Sequence, residues 1–193
     1  MELMVDVKEI MARVREVLTA PKKFFGKAKK EHGWKKAFSF VLVVAGAGHI
    51  LTALYNILIY PLVSPTFAEL FGIPAVQLNA GQVAGATLVS FIVTLGMSFI
   101  WGAALKVWLA IFKVKSNFDS SYRVMAYSRT PNYLFSWLPL VNILIAIYSF
   151  YLLVLGLENE YGIPRGKAIL IIVTSVVVIF VVSILAVSLI PTI

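Results

Sequence analysis

The residues able to do chemistry are few, and most of them lie inside apolar sequence. His49 and Asn56 are seven apart, so a helix puts them on one face, with Thr52 and Ala53 between them. Asp119 and Arg123 are four apart and face the same way, acid N-terminal to base. Arg129 follows off that face, beside Pro131, which frees a carbonyl in the preceding turn. Ionisable groups at membrane depth mark helix-to-helix pairing, a proton relay or a solute path. Two readings follow: these residues join helices, or His49, Asn56, Asp119, Arg123 and Arg129 line a polar path of a transporter or channel, one that favours anions.

Other chemistry does not assemble. Residues 162–167, Gly-Ile-Pro-Arg-Gly-Lys, look a little like a phosphate loop, but they are one residue short, lack the Ser or Thr after Lys167 and follow no strand. His32 and His49 are too far apart for a metal site, and the absence of Cys excludes disulfides and thiolate ligands. No Ser/His/Asp grouping, carboxylate pair or nucleophile elbow can be built. The expectation is a protein that is not an enzyme, with no cofactor and no metal.

The surrounding elements are membrane elements. Of 193 residues 60% are hydrophobic and 13% charged, about half the charge share of a soluble domain. Together with apolar runs longer than 18 residues, this predicts an all-α, polytopic membrane bundle. The expected spans are 37–60, 83–112, 119–138, 142–157 and 168–190, with 1–36 as a cytoplasmic region and 37–193 as the membrane domain. The span at 37–60 would be about 36 Å long as a helix. Residues 62–82 read as a loop, and 156–167 as a charged one with Pro164 at a helix start. Along the second span Ala86, Ser90, Thr94, Ser98 and Gly102 recur every fourth residue, a ridge of small side chains that lets another helix approach.

The stretch 117–139 is polar and aromatic where its neighbours are greasy, so it belongs either in the headgroups or wrapped by other helices. The charge count favours the second. Ten of the 17 Lys and Arg precede residue 37, none lies in 61–82, and five lie between Lys106 and Arg129. With five spans all 17 fall on or near the N-terminal side, which the positive-inside rule makes cytoplasmic, and the C-terminus lies outside. Four spans plus an interfacial helix would put Arg165 and Lys167 outside. Asp119, Arg123 and Arg129 are expected in the cytoplasmic half, with Tyr127, Tyr133 and Trp137 in helix contacts deeper in.

The N-terminal arm has two parts. Residues 1–19 carry Leu3, Val7, Ile10, Val14 and Val17 at helical spacing, widened by Met4, Met11 and Leu18, opposite a charged face. Such a helix packs under its own bundle, against a second copy, or on the bilayer. Next come Lys22, Lys23, Lys27, Lys29, Lys30, Lys35 and Lys36, with Phe24, Phe25 and Trp34 among them. Interleaved base and aromatic also suits nucleic acid. Directly before a span, however, it suits an interfacial anchor, with rings at headgroup depth and ammonium groups on anionic lipid phosphates, or a topology signal alone.

Several motifs in order resemble one family. Leu18-Thr-Ala-Pro-Lys-Lys-Phe-Phe and Gly33-Trp-Lys-Lys-Ala precede the first span. Tyr122-Arg-Val-Met-Ala-Tyr-Ser-Arg-Thr-Pro131, the Trp137-Leu-Pro139 break, Leu155-Gly-Leu and Tyr161-Gly-Ile-Pro-Arg-Gly-Lys-Ala168 follow. Together, over residues 18–190, they are similar to the Yip-domain family, membrane proteins named for interacting with Ypt/Rab GTPases. The resemblance implies a five-span helical protein with a cytoplasmic N-terminus and no catalysis. It also implies a membrane-organising or scaffold role through protein and lipid contacts, vesicle traffic in eukaryotic members, and a partner that is another membrane protein or a second copy. The short lysine-rich arm, in place of a long acidic or Pro-rich one, looks like the compact prokaryotic or archaeal form, where a small GTPase partner follows only by analogy.

Overall fold

The computed structural model describes residues 7–72, 78–138 and 141–188, and every regular element among them is a helix. In chain order these are α1 (Val7–Thr19), α2 (Pro21–Ala28), α3 (Lys35–Leu58), α4 (Tyr60–Phe71), α5 (Ala80–Ile111), α6 (Phe118–Ser128), α7 (Thr130–Phe135), α8 (Asn142–Tyr161) and α9 (Arg165–Ser188). Among the described residues four helices are long and apolar enough to cross a membrane: α3, α5, α8 and α9. Their outward faces carry exposed Ile50, Leu54, Ile92, Val93, Ile147 and Val176. Apolar surface on this scale is untenable in water and ordinary in lipid.

The stretch expected as the third of five spans is two short helices, α6 of 11 residues and α7 of 6. The break has a local cause. Pro131 has no N–H to give the Tyr127 carbonyl four residues back. The Thr130 hydroxyl donates to that carbonyl instead, at 2.7 Å. Arg129 sits at the junction with φ −87° and ψ 5°, so the chain bends and helix resumes at once. Asn117 starts α6 with a capping box, its side chain accepting from the Ser120 N–H at 2.8 Å.

α6 and α7 are the axis of the molecule. Tyr122 and Tyr127 are fully buried, and α3, α5 and α8 pack around them. One apolar cluster joins Phe40, Val41 and Val44 of α3 to Phe24 and Phe25 of α2, Ile10 and Val17 of α1, and Leu152 and Leu155 of α8. A second joins Leu105 and Leu109 of α5 to Val124, Val154, Leu157 and the first turns of α9 at Ala168 and Ile171. Because lipid tails are as apolar as Leu, close backbone approach matters more here than burial of grease. A Cβ at Gly48 would overlap the Tyr133 carbonyl oxygen, and one at Gly102 would lie 3.0–3.2 Å from three atoms of Tyr122. The expected ridge on α5 is therefore split: Ser98 and Gly102 are buried, whereas Ala86 and Ser90 are exposed.

Three boundaries differ from the sequence reading, each for a physical reason. Residues 62–82 were expected as a loop, yet most of their first half is α4. Pro61 sits in its first turn, where a missing N–H costs nothing, and Gly72 closes it in the left-handed conformation at φ 64°. Residues 21–28, read only as part of a basic tract, are likewise a helix: α1 ends at Thr19 and Pro21 opens α2. Residues 158–161, expected in a loop, are the last turn of α8, closed by Gly162 at φ 64°. Leu3, Met4, Pro139 and the end of the last expected span, 189–190, lie outside the described residues.

Candidate functional site: the docked arm and its polar rim

α1 and α2 lie against the bundle and not apart from it. Ile10, Val17, Phe24, Phe25 and Ala28 form their buried side. Phe24 meets the Tyr127 ring edge-on at 4.9 Å, and Phe25 reaches the gap left by Gly156 of α8. Phe24 and Phe25, expected as rings at headgroup depth, are thus core residues, because an α2 helix turns them both inward. Trp34 is half-buried against Phe38, Phe99 and Tyr122. The lysines of the same tract are exposed. Lys27 pairs with Glu16 at 2.5 Å and Lys36 with Glu9 at 3.1 Å. Lys22 and Lys29, and Lys23 and Lys30, are seven apart and share the outward side.

A polar rim fixes the arm. Arg13 donates to Glu31 Oε1 at 2.7 Å and to the Tyr127 hydroxyl at 3.2 Å, and that hydroxyl donates to Glu31 Oε2 at 2.7 Å. Arg13 also meets Glu9 at 3.0 Å. Burial works against the Arg13 charge, but Tyr127, Glu31 and Glu9 outweigh it and hold its pKa above the ordinary value. Hydrogen bonding from Lys36, then from Arg13, holds the Glu9 carboxyl below its usual range. Beside this triad Arg123 donates to Glu160 at 2.7 Å, with both side chains mostly covered, and reaches the Gly33 carbonyl at 3.5 Å. Tyr161 shares its hydroxyl with Ser120 and Ser121 at 3.0 and 3.1 Å, and Tyr148 donates to the Leu18 carbonyl at 2.7 Å.

Arg123 therefore pairs with Glu160 and not with Asp119, which has no ion pair among the described residues. The helical spacing of Asp119 and Arg123 is real, but the buried face of α6 turns Arg123 toward the end of α8. Arg129 stacks its guanidinium over Trp101 at 4.6 Å to the ring centre. His49 is satisfied elsewhere: Nδ1 donates to the Ala45 carbonyl at 2.8 Å, and Nε2 faces the Thr94 hydroxyl at 3.4 Å, a contact between α3 and α5. Ser98 meets the Tyr122 hydroxyl at 3.0 Å. Asn56 is half-buried late in α3, far along the chain from the rim. Pro131 is buried at the start of α7.

The partners that sequence reasoning missed are Glu31 and Glu160. Each reaches a helix tens of residues away, which no local spacing announces. A hint existed in their rarity, since acids are scarce in this chain and one beside a span tends to be matched.

The comparisons with known proteins agree in kind. No curated protein and no solved structure matches the chain. The family described as the Yip1 domain matches residues 15–187, nearly the whole length and all of the rim beyond Glu9 and Arg13. An integral, multi-pass helical protein with its arm folded onto the α6–α7 axis, the chain belongs to the Yip1-domain family.

Proposed function

We propose that this protein is a non-enzymatic membrane organiser or scaffold, which presents a basic surface to anionic lipid headgroups and to other membrane proteins on the cytoplasmic side. One observation carries the reading: α2 buries Phe24, Phe25 and Ala28 in the bundle while leaving Lys22, Lys23, Lys29 and Lys30 outward. A free anchor would put its rings in lipid. A docked one holds its lysines in a fixed array against whatever lies below. At roughly 1 kcal/mol per basic residue near an anionic surface, such an array contributes several kcal/mol. The placement of His49, Arg123 and Arg129 in three different helix contacts supports this reading over a transporter, which needs its polar groups along one wet path. A second copy or another membrane protein is the expected protein partner; a small GTPase follows only from the family.

The chain has no Cys, so one cysteine introduced at exposed His32 takes an environment-sensitive dye in the full-length protein. In bilayers containing phosphatidylglycerol its emission should shift toward the apolar end, relative to pure phosphatidylcholine. Salt should reverse the shift, because exposed charges are screened within about 10 Å at 0.1 M. Changing Lys22, Lys23, Lys29 and Lys30 to Gln should abolish it. Identical emission in neutral and anionic bilayers would leave the lysines as a topology signal alone.

A further inference from the structure

A groove of about 390 Å³ runs between α5 and α9, over a floor made by Met125 of α6 and Leu153 of α8. Trp101 and Trp108 form one wall, Ile172 and Phe180 the other. It forms because α9 packs on the bundle only through its first turns, Ala168 to Ile172, and its side chains from Val176 to Leu185 are exposed. In a bilayer an apolar groove of this kind fills with the surrounding solvent, which is acyl chain.

Arg129 makes the groove more than a lipid-facing crease. Trp101 is at once a groove wall and the ring beneath the Arg129 guanidinium. Met125, the groove floor, accepts the Arg129 backbone N–H at 3.3 Å. Arg129 is half-buried, and among the described residues its guanidinium has no carboxylate and no hydrogen-bond acceptor, only the ring face. A guanidinium does not deprotonate in proteins, and an unpaired one at membrane depth is costly. Arg123, six residues earlier and roughly 9 Å up an ideal helix, has Glu160. Among the described residues no anion meets Arg129, and phospholipid phosphate is the anion that a bilayer supplies. Arginine side chains reach it by extending along apolar surface, and the guanidinium fork fits phosphate oxygens two at a time.

We infer that Arg129, Trp101 and the α5–α9 groove form a binding site for one anionic phospholipid, phosphate on Arg129 and an acyl chain in the groove. The site is separate from the lysine array and does not rest on it.

Trp101 and Trp108 make the site readable by fluorescence. The full chain in neutral detergent is titrated with phosphatidylglycerol or phosphatidylcholine bearing brominated chains, and tryptophan quenching is followed. Both lipids offer a phosphate, but the choline ammonium lies beside it and opposes the Arg129 charge, so phosphatidylglycerol should quench at a concentration roughly tenfold below phosphatidylcholine, a difference on the scale of one charge-assisted hydrogen bond. The preference should persist in Arg129→Lys and in the Lys22, Lys23, Lys29 and Lys30 to Gln variant, and vanish in Arg129→Gln. Val176→Phe, which narrows the groove and leaves Arg129 in place, should weaken quenching by both lipids. Equal quenching of the wild type by the two lipids would overturn the inference without any variant. So would a preference that survives Arg129→Gln, one that disappears with the lysines, displacement by inorganic phosphate alone, or a dimer whose groove admits neither lipid. Loss with the lysines would assign the preference to the arm and leave the organiser reading intact.

Discussion

At Arg123 and Glu160 two opposite charges are held 2.7 Å apart with 7% and 12% of their side-chain surface exposed. Removing one partner strands the other in a covered site, at a cost of about 3–5 kcal/mol, whereas replacing both with apolar groups is often neutral. Glu160→Gln should therefore lower the melting temperature in detergent clearly, and Arg123→Met with Glu160→Leu should recover part of the loss. Tyr127→Phe removes the hydroxyl that accepts from Arg13 and donates to Glu31. Leaving those groups short of a partner should cost about 1–3 kcal/mol in the same assay. Glu9 gives a pH dependence with a definite sign. Its folded pKa is depressed by Lys36 and Arg13, so its contribution is present above the ordinary carboxylate value and is lost as pH falls through the folded one. Acidification should loosen the arm, and Glu9→Gln should remove that part of the pH response; because Glu9 is largely exposed the effect is small. At this scale the sequence showed which residues were odd but not whom they meet. The spacing of Asp119 and Arg123 is a weak local preference, overridden once α6 turns Arg123 toward α8.

Long apolar elements were legible because the bilayer sets their length: α3, α5, α8 and α9 lie close to the expected spans. Short ones were not. The basic tract hid α2 and the expected loop hid most of α4, although Pro21 and Pro61 stand where proline starts a helix, in its first turn. The 117–139 stretch was expected either in the headgroups or wrapped by other helices, and its division into α6 and α7 depends on a hydroxyl, Thr130, standing in for the N–H that Pro131 lacks. Glycine contacts test the packing of these elements. Gly48→Ala must displace the α7 backbone at Tyr133, an overpacking that should cost about 1–3 kcal/mol. Gly46→Ala, whose added carbon meets only the Phe91 ring at 3.7 Å or more, should melt close to wild type. Equal melting of the two would mean that α3 and α7 do not meet as described.

For the whole molecule, the arm and the membrane bundle are one structure, joined at the rim where charge and tyrosine meet. We propose that α6 and α7 together carry the chain across, so that the N-terminus is cytoplasmic and the C-terminus outside. Reporter fusions at the two ends should therefore read opposite sides; two cytoplasmic ends would reduce α6–α7 to a buried re-entrant pair and leave four crossings. Most direct is hydrogen–deuterium exchange of the full chain in lipid nanodiscs, read over α1 and α2. The account predicts that the amides of residues 10–28 are protected in the wild type. Glu31→Gln or Tyr127→Phe should release them while α3 and α5 stay protected. An arm that exchanges freely in the wild type, or one as protected in both variants as before, would contradict the claim that this rim holds it to the bundle.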